Sequence, residues 1–168
     1  LQPVLKRALE NEADNEQLER GVMAAGILRA GQLLLKKYYL ISTNVPFLGR
    51  GKFTDYFLEF SEIKYPNSKY ELGTIFIQRC LRFLKANGVL SFVSPQNWLF
   101  PNNYIEFRKE ILSTNSFLFI ARLGTAAFRS ISGEVVNVGL FGIANSKPIF
   151  DTTFVGIDAS TEKNADTK

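Results

Sequence analysis

The sequence predicts an α/β fold: an open, mostly parallel sheet that ends in an antiparallel hairpin at its edge. Apolar residues recur at helical spacing in several stretches, with short aromatic and β-branched runs between them. Two such runs, at 117–121 and 134–143, are also adjacent in order, separated by a loop with Gly124 and Gly133. Helices alternating with strands imply right-handed crossovers and parallel pairing, and two consecutive strands favour a hairpin. On such sheets ligands bind beyond the carboxyl ends of the strands.

The elements follow in order. Residues 1–20 are polar with an acidic excess, and Pro3 suits the first turn of a short helix through Leu5 and Leu9. Leu18, Val22, Ala25 and Leu28 continue at helical spacing to Leu33, Leu34 and Leu35. Gly21, Gly26 and Gly31 weaken that stretch by about 1 kcal/mol each, so one or two helices are expected. Tyr38 to Thr43 reads as a strand, and Asn44-Val45-Pro46-Phe47 ends it in a turn. Residues 48–68, with Gly49, Gly51, Pro66 and Asn67 among mixed charges, read as a long mobile loop.

From Leu72 onward Ile75, Phe76, Cys80, Phe83 and Leu84 share one helical face, and Asn87-Gly88 is expected to cap that helix. Val89 to Val93 is nearly all apolar, as in a strand buried on both faces. Asn102 or Asn103 is expected to cap a helix carrying Tyr104, Phe107, Ile111 and Leu112. Beyond Ser146 the pattern fades, and Asp158 to Lys168 reads as a polar tail.

Composition narrows the chemistry. The 168 residues suit one domain, and 46% hydrophobic with 21% charged residues is ordinary for a globular chain. Mean hydropathy is −0.01. With no histidine there is no Ser-His-Asp or Cys-His pair and no histidine metal site within the chain. The single cysteine, Cys80, excludes a disulfide framework, a CxxC pair and a zinc ribbon, so no metal is expected. A net charge of +4 is compatible with a polyanionic partner. There is no signal peptide and no apolar run near the roughly 18 residues of a membrane span, so a cytoplasmic setting is expected. The chain opens at Leu1, which points to a longer parent.

Asn-x-Pro at a strand end is by itself a turn signal. Here it stands with other segments in a fixed order: Tyr65-Pro66-Asn67-Ser68-Lys69 through Ile75-Phe76-Ile77-Gln78-Arg79-Cys80-Leu81, then Leu84-Lys85-Ala86-Asn87-Gly88-Val89-Leu90 and Pro95-Gln96-Asn97-Trp98-Leu99-Phe100. Leu123-Gly124-Thr125-Ala126-Ala127-Phe128 and Gly133-Glu134-Val135-Val136 complete the series. Over residues 32–145 the chain resembles the amino-group DNA methyltransferases that modify adenine N6, whose hallmark is Asn-Pro-Pro-Tyr or Phe. It is most similar to large fused restriction–modification enzymes and BREX-type phage-exclusion methyltransferases.

The resemblance implies the C-terminal half of a Rossmann-like methyltransferase sheet, with S-adenosylmethionine as cofactor of the full-length protein. It implies double-stranded DNA with a flipped adenine as substrate, and restriction or defence-complex subunits as possible partners. The adenine amine is a poor nucleophile because its lone pair is delocalised into the ring. Two acceptors on its N–H bonds free that lone pair, and the resemblance assigns them to the Asn44 side chain and the Val45 carbonyl. Val45 stands where the family has its first proline and Pro46 where it has the second. Phe47 would stack on the base extruded from the duplex, and Phe128 would be the second stacking aromatic.

Phe128 reads equally as one more buried aromatic among fifteen phenylalanines. Arg50, Lys52 and Lys64 are candidate phosphate contacts, but Asp55, Glu59 and Glu62 lie among them, as on a solvated face. Trp98 is expected to pack beneath the site, and Glu71 stands where the family has Asp. The family's glycine-rich cofactor loop is expected upstream of Leu1, so no cofactor-binding residue is identified and the fragment alone is expected to be inactive. The expected organisation is a helical lead-in at 1–37, the target-base half of a methyltransferase domain at 38–146, and a strand or linker with polar tail at 147–168. Two other functions share the four-residue motif: methylation of protein glutamine or RNA, and a degenerate, non-catalytic DNA-binding or assembly module.

Overall fold

The computed structural model describes residues 15–125 and 136–161. The chain divides between Lys37 and Tyr38 into two compact units. The first carries α1 (Asn15–Leu35), a single uninterrupted helix. Nothing lies within 4 Å of a Cβ built at Gly26 or Gly31, so these glycines answer to no close contact. Val22, Met23, Ile27, Leu34 and Leu35 of this helix are exposed.

The second unit is built on five strands: β1 (Tyr38–Asn44), β2 (Leu84–Pro95), β3 (Ser116–Gly124), β4 (Val138–Ala144) and β5 (Val155–Asp158). Their order in the sheet is β1-β2-β4-β3-β5. β1 with β2 and β3 with β5 are parallel, whereas β4 runs antiparallel to both its neighbours. Four strands therefore point one way, and the sheet is mostly parallel as the alternation predicts. The antiparallel pair is present, with β4 inserted between β2 and β3 rather than at the rim. That insertion lets Val138 to Ala144, almost wholly buried, form ladders on both sides.

Three helices accompany this sheet, α2 (Asp55–Lys64), α3 (Leu72–Phe83) and α4 (Ile105–Thr114), of which α3 contacts β2 and α4 contacts β3. The core joins Ile77, Cys80 and Leu84 to Leu90, Phe92, Trp98, Phe107, Phe141 and Ile143. Phe92 stacks on Phe141 with centroids 4.9 Å apart, and Trp98 lies 5.2 Å from the same ring. Burial pushes the Cys80 thiol up, so it is a protonated core residue rather than a nucleophile.

Several local expectations need correction. Residues 48–68 are not a long loop, because α2 occupies their centre. Thr54 caps α2 by accepting from the Phe57 N–H, and Phe53, Phe57, Phe60 and Tyr65 form a run of ring contacts along it. Gly49, Gly51 and Pro66 flank that helix instead of breaking it. Asn87-Gly88 does not cap α3, which ends at Phe83. It forms an irregularity within β2, where Asn87 has φ 60° and the register to β1 shifts. A Cβ on Gly88 would meet the Tyr38 carbonyl at 2.9 Å, so only glycine lets the two strands approach there.

Phe76 is exposed, and the inner face of α3 is carried by Thr74, Ile77 and Gln78 as well as Ile75 and Cys80. Neither Asn102 nor Asn103 caps α4; both lie in a short 3-10 turn before it, and Tyr104 takes the cap position. No helix of the described residues is long and apolar enough to cross a membrane.

Candidate functional site

Asn44 is the last residue of β1, at its carboxyl end, and its side chain is exposed. Val45 follows with 2% exposure, its side chain sunk into the core. Pro46 restricts Val45 to extended backbone, since a residue before proline is pushed out of the helical region. Phe47 packs against the core cluster and remains part-exposed.

The hydrogen-bond ladder decides what this turn offers. The Val45 N–H donates to the Val93 carbonyl at 3.1 Å, continuing the parallel pairing of β1 with β2. On the other side of β2 the Gln96 N–H donates to the Asn137 carbonyl at 2.9 Å. Residues 94 and 96 therefore face β4, while 93 and 95 face β1. The next rung of a parallel ladder would run from the N–H of residue 95 to the Val45 carbonyl. Residue 95 is proline, which has no N–H. Among the described residues nothing donates to the Val45 carbonyl.

The start of α3 presses on the same turn. A Cβ on Gly73 would lie 3.2 Å from Val45 Cγ2 and 3.3 Å from the Pro46 carbonyl oxygen, so glycine permits this approach. Leu48 to Arg50 pair with Tyr70 to Leu72: the Arg50 N–H donates to the Tyr70 carbonyl at 3.1 Å and the Leu72 N–H to the Leu48 carbonyl at 2.8 Å. Glu71, between them, is 7% exposed, and among the described residues its Oε2 has no hydrogen-bond partner. Burial pushes its carboxyl up, opposed by a hydrogen bond from the Asn97 side chain. Tyr104 is pushed up to about 12 by burial and by the charge of Glu71, and stays a neutral phenol.

A cleft of about 500 Å³ opens at the carboxyl end of β2, lined by Pro95, Gln96, Asn97, Phe100, Pro101 and Asn137. Gln96 is 5% exposed and its Oε1 accepts from Arg122 Nε at 3.3 Å, which leaves its amide nitrogen without a partner among the described residues. Trp98 is 1% exposed, and its indole N–H donates to Ser94 Oγ at 3.2 Å, as a packing residue beneath this edge.

The structure thus brings Asn44, Val45, Pro46 and Phe47 into one turn. Arg50 is tied to Glu62 at 2.5 Å, whereas Lys52 and Lys64 are exposed. Phe128 lies outside the described residues. Sequence reasoning assigned no role at the site to Pro95 or Gln96. The available signal was a proline ending a strand otherwise buried on both faces, an uncommon place for that residue.

Comparison with known proteins follows the same outline. The Eco57I restriction-modification methylase family matches residues 7–128. The chain is 31% identical over 144 residues to the adenine-specific methyltransferase BrxX of Escherichia coli O9:H4 (strain HS), covering 83% of this chain and 12% of BrxX. The fold is similar to that in the DrdV–DNA complex, with a TM-score of 0.64 at 18% identity over 84% of this chain and 16% of that one. It is also similar to a protein of Listeria monocytogenes assigned to the class I S-adenosylmethionine-dependent methyltransferases, with a TM-score of 0.56 at 15% identity over 77% of this chain and 39% of that one.

Proposed function

The chain belongs to the Eco57I restriction-modification methylase family, and on that basis we propose that it carries the amine-holding edge of a DNA adenine-N6 methyltransferase. The enzyme would act in restriction–modification or phage defence, on double-stranded DNA with the target adenine extruded, in the bacterial or archaeal cytoplasm. Residues 38–146 would be its target-base half.

The observation that carries this reading is a pair of open acceptors at the end of β1. The Asn44 side chain is exposed, and the Val45 carbonyl faces a proline. Together they can accept the two N–H bonds of an aromatic amine. Drawing on both bonds pulls the nitrogen toward a tetrahedral shape and localises its lone pair for in-line attack. No histidine base is needed, because positioning and electrostatics supply the catalysis.

S-adenosylmethionine, when bound, supplies the electrophilic methyl group. The described residues suit the amine better than this cofactor. In Gly49-Arg50-Gly51-Lys52, the glycine-rich stretch after β1, Gly49 and Arg50 pair with Tyr70 and Glu71, and Arg50 to Lys52 form a 3-10 turn. The part-exposed ring of Phe47 would stack on the extruded base, and Phe128 would be the second stacking aromatic. Lys52 and Lys64 remain available for phosphates, whereas Arg50 would first have to release Glu62.

The test is Asn44→Ala in the intact gene product, assayed for N6-methyladenine. Removing one group that stabilises developing charge costs roughly 10²–10³ in turnover, and the exposed position predicts unchanged stability. Methylation within about tenfold of wild type, a barrier change of only ~1.4 kcal/mol, would refute the assigned role.

A further inference from the structure

We propose that Pro95 is a positioning residue for methyl transfer: lacking an N–H, it keeps the Val45 carbonyl free to receive the substrate amine. This rests on the reading of Asn44 and Val45 given above.

Two independent registers define the geometry. On the β1 side, the Val45 N–H reaches the Val93 carbonyl at 3.1 Å, and Asn44 is aligned with Val93. On the β4 side, Ser94 is aligned with Gly139 and Pro95 with Val138, and the Gln96 N–H reaches the Asn137 carbonyl. Both say that the nitrogen of residue 95 faces Val45. Any other amino acid there would bring an N–H onto the carbonyl and close the ladder. The substrate amine would then have to displace an internal hydrogen bond before it could be held.

The position is otherwise a poor one for proline. β2 lies between β1 and β4, and proline inside a sheet is normally confined to edge strands, first residues or bulges. Pro95 also ends β2, so a strand-stopping role is the plain alternative, and the two roles predict different results.

The experiment places Pro95→Ala and Pro95→Val in the intact gene product. It measures kcat and KM on cognate DNA, Tm, and hydrogen exchange at the new amide of residue 95. An amide that captures Val45 should lower kcat by about tenfold or more, the value of one hydrogen bond formed mainly in the transition state. The KM for DNA should stay within about twofold, since affinity comes mainly from phosphate contacts. Tm should hold or rise, and the new amide should be protected from exchange.

Unchanged kcat in both variants would overturn the proposal. So would a loss of turnover that comes with a lower Tm and an unprotected amide, which is the signature of a residue that only packs or stops the strand. If wild type makes no N6-methyladenine, the reading of Asn44 and Val45 falls, and this inference with it. If wild type methylates and both variants match it, only the role of Pro95 falls.

Discussion

Two regions of the second unit bury polar side chains to a similar depth and treat them differently. Behind α3, Ser68 Oγ donates to Gln78 Oε1 at 2.6 Å, and Gln78 Nε2 donates to Glu110 Oε1 at 2.7 Å. Asn67 Nδ2 donates to the other Glu110 oxygen at 2.9 Å, and the Thr74 hydroxyl sits 2.7 Å from the Ser68 carbonyl. That network is closed. At the carboxyl edge of the sheet, Glu71 and Gln96 are buried as deeply as Gln78. Yet among the described residues Glu71 Oε2 has no partner and nothing donates to the Val45 carbonyl. An unpaired buried polar group costs about 1–3 kcal/mol. A chain that closes one network and leaves Glu71 Oε2 and the Val45 carbonyl unpaired at the other edge supports the proposal that a ligand completes that edge.

The largest expected effect tests the closed side. Gln78→Leu would leave the Ser68 hydroxyl and the Glu110 carboxylate without their shared partner. Stability should fall by about 3 kcal/mol, read by chemical denaturation, with turnover per folded molecule unchanged. A loss below about 0.5 kcal/mol, the scale of an ordinary surface substitution, would erase the contrast between the two regions.

The open side should respond in function first. Phe47→Ala should weaken the extruded state by about 2 kcal/mol, the middle of the range for a base stacked on an aromatic, while binding to DNA overall changes less. Phe47→Tyr keeps the ring face and should be tolerated. A fluorescent adenine analogue at the target position reports this directly. Equal signal from wild type and Phe47→Ala at saturating DNA would make Phe47 a packing residue.

The smallest effect sharpens the status of Glu71. Burial raises its carboxyl above the ordinary 4.5, so the folded state binds the proton more tightly than the unfolded chain does. Stability from this group is present below pH 4.5 and is lost as pH climbs through the raised value. Glu71→Gln removes that loss. In Tm measured against pH, the variant should be at least as stable as wild type at neutral pH, with the difference closing in acid. A variant less stable at neutral pH would mean that the Glu71 charge has a stabilising partner, and that this edge is not open.

Part of this was legible in the residues themselves. The helical face of Ile75 and Cys80 and the apolar strands at 38–43 and 89–93 are local patterns, and short-range periodicity reports them well. α2 was hidden because glycine and proline signal breaks without saying whether they flank a helix or interrupt one. The Thr54 cap and the aromatic spacing of Phe53, Phe57 and Phe60 were the better guides. Asn87-Gly88 misled for a related reason: a positive φ serves a helix end or a strand irregularity equally, and only the pairing with β1 chooses between them.

The sequence by itself determined that Asn44-Val45-Pro46-Phe47 would end a strand, and that a second, apolar strand would run through Val89 to Val93. Both follow from local backbone chemistry, which each residue carries wherever it sits. That Pro95 meets Val45 was decided by tertiary structure alone. It depends on β4 inserting beside β2 and on the register of two ladders between segments far apart in the chain. A slip of one residue would turn the nitrogen of Pro95 toward β4 and an N–H toward Val45, because the faces and hydrogen-bonding sides of a strand alternate with period two. The same amino acids would then hold a closed carbonyl where this fold holds an open one.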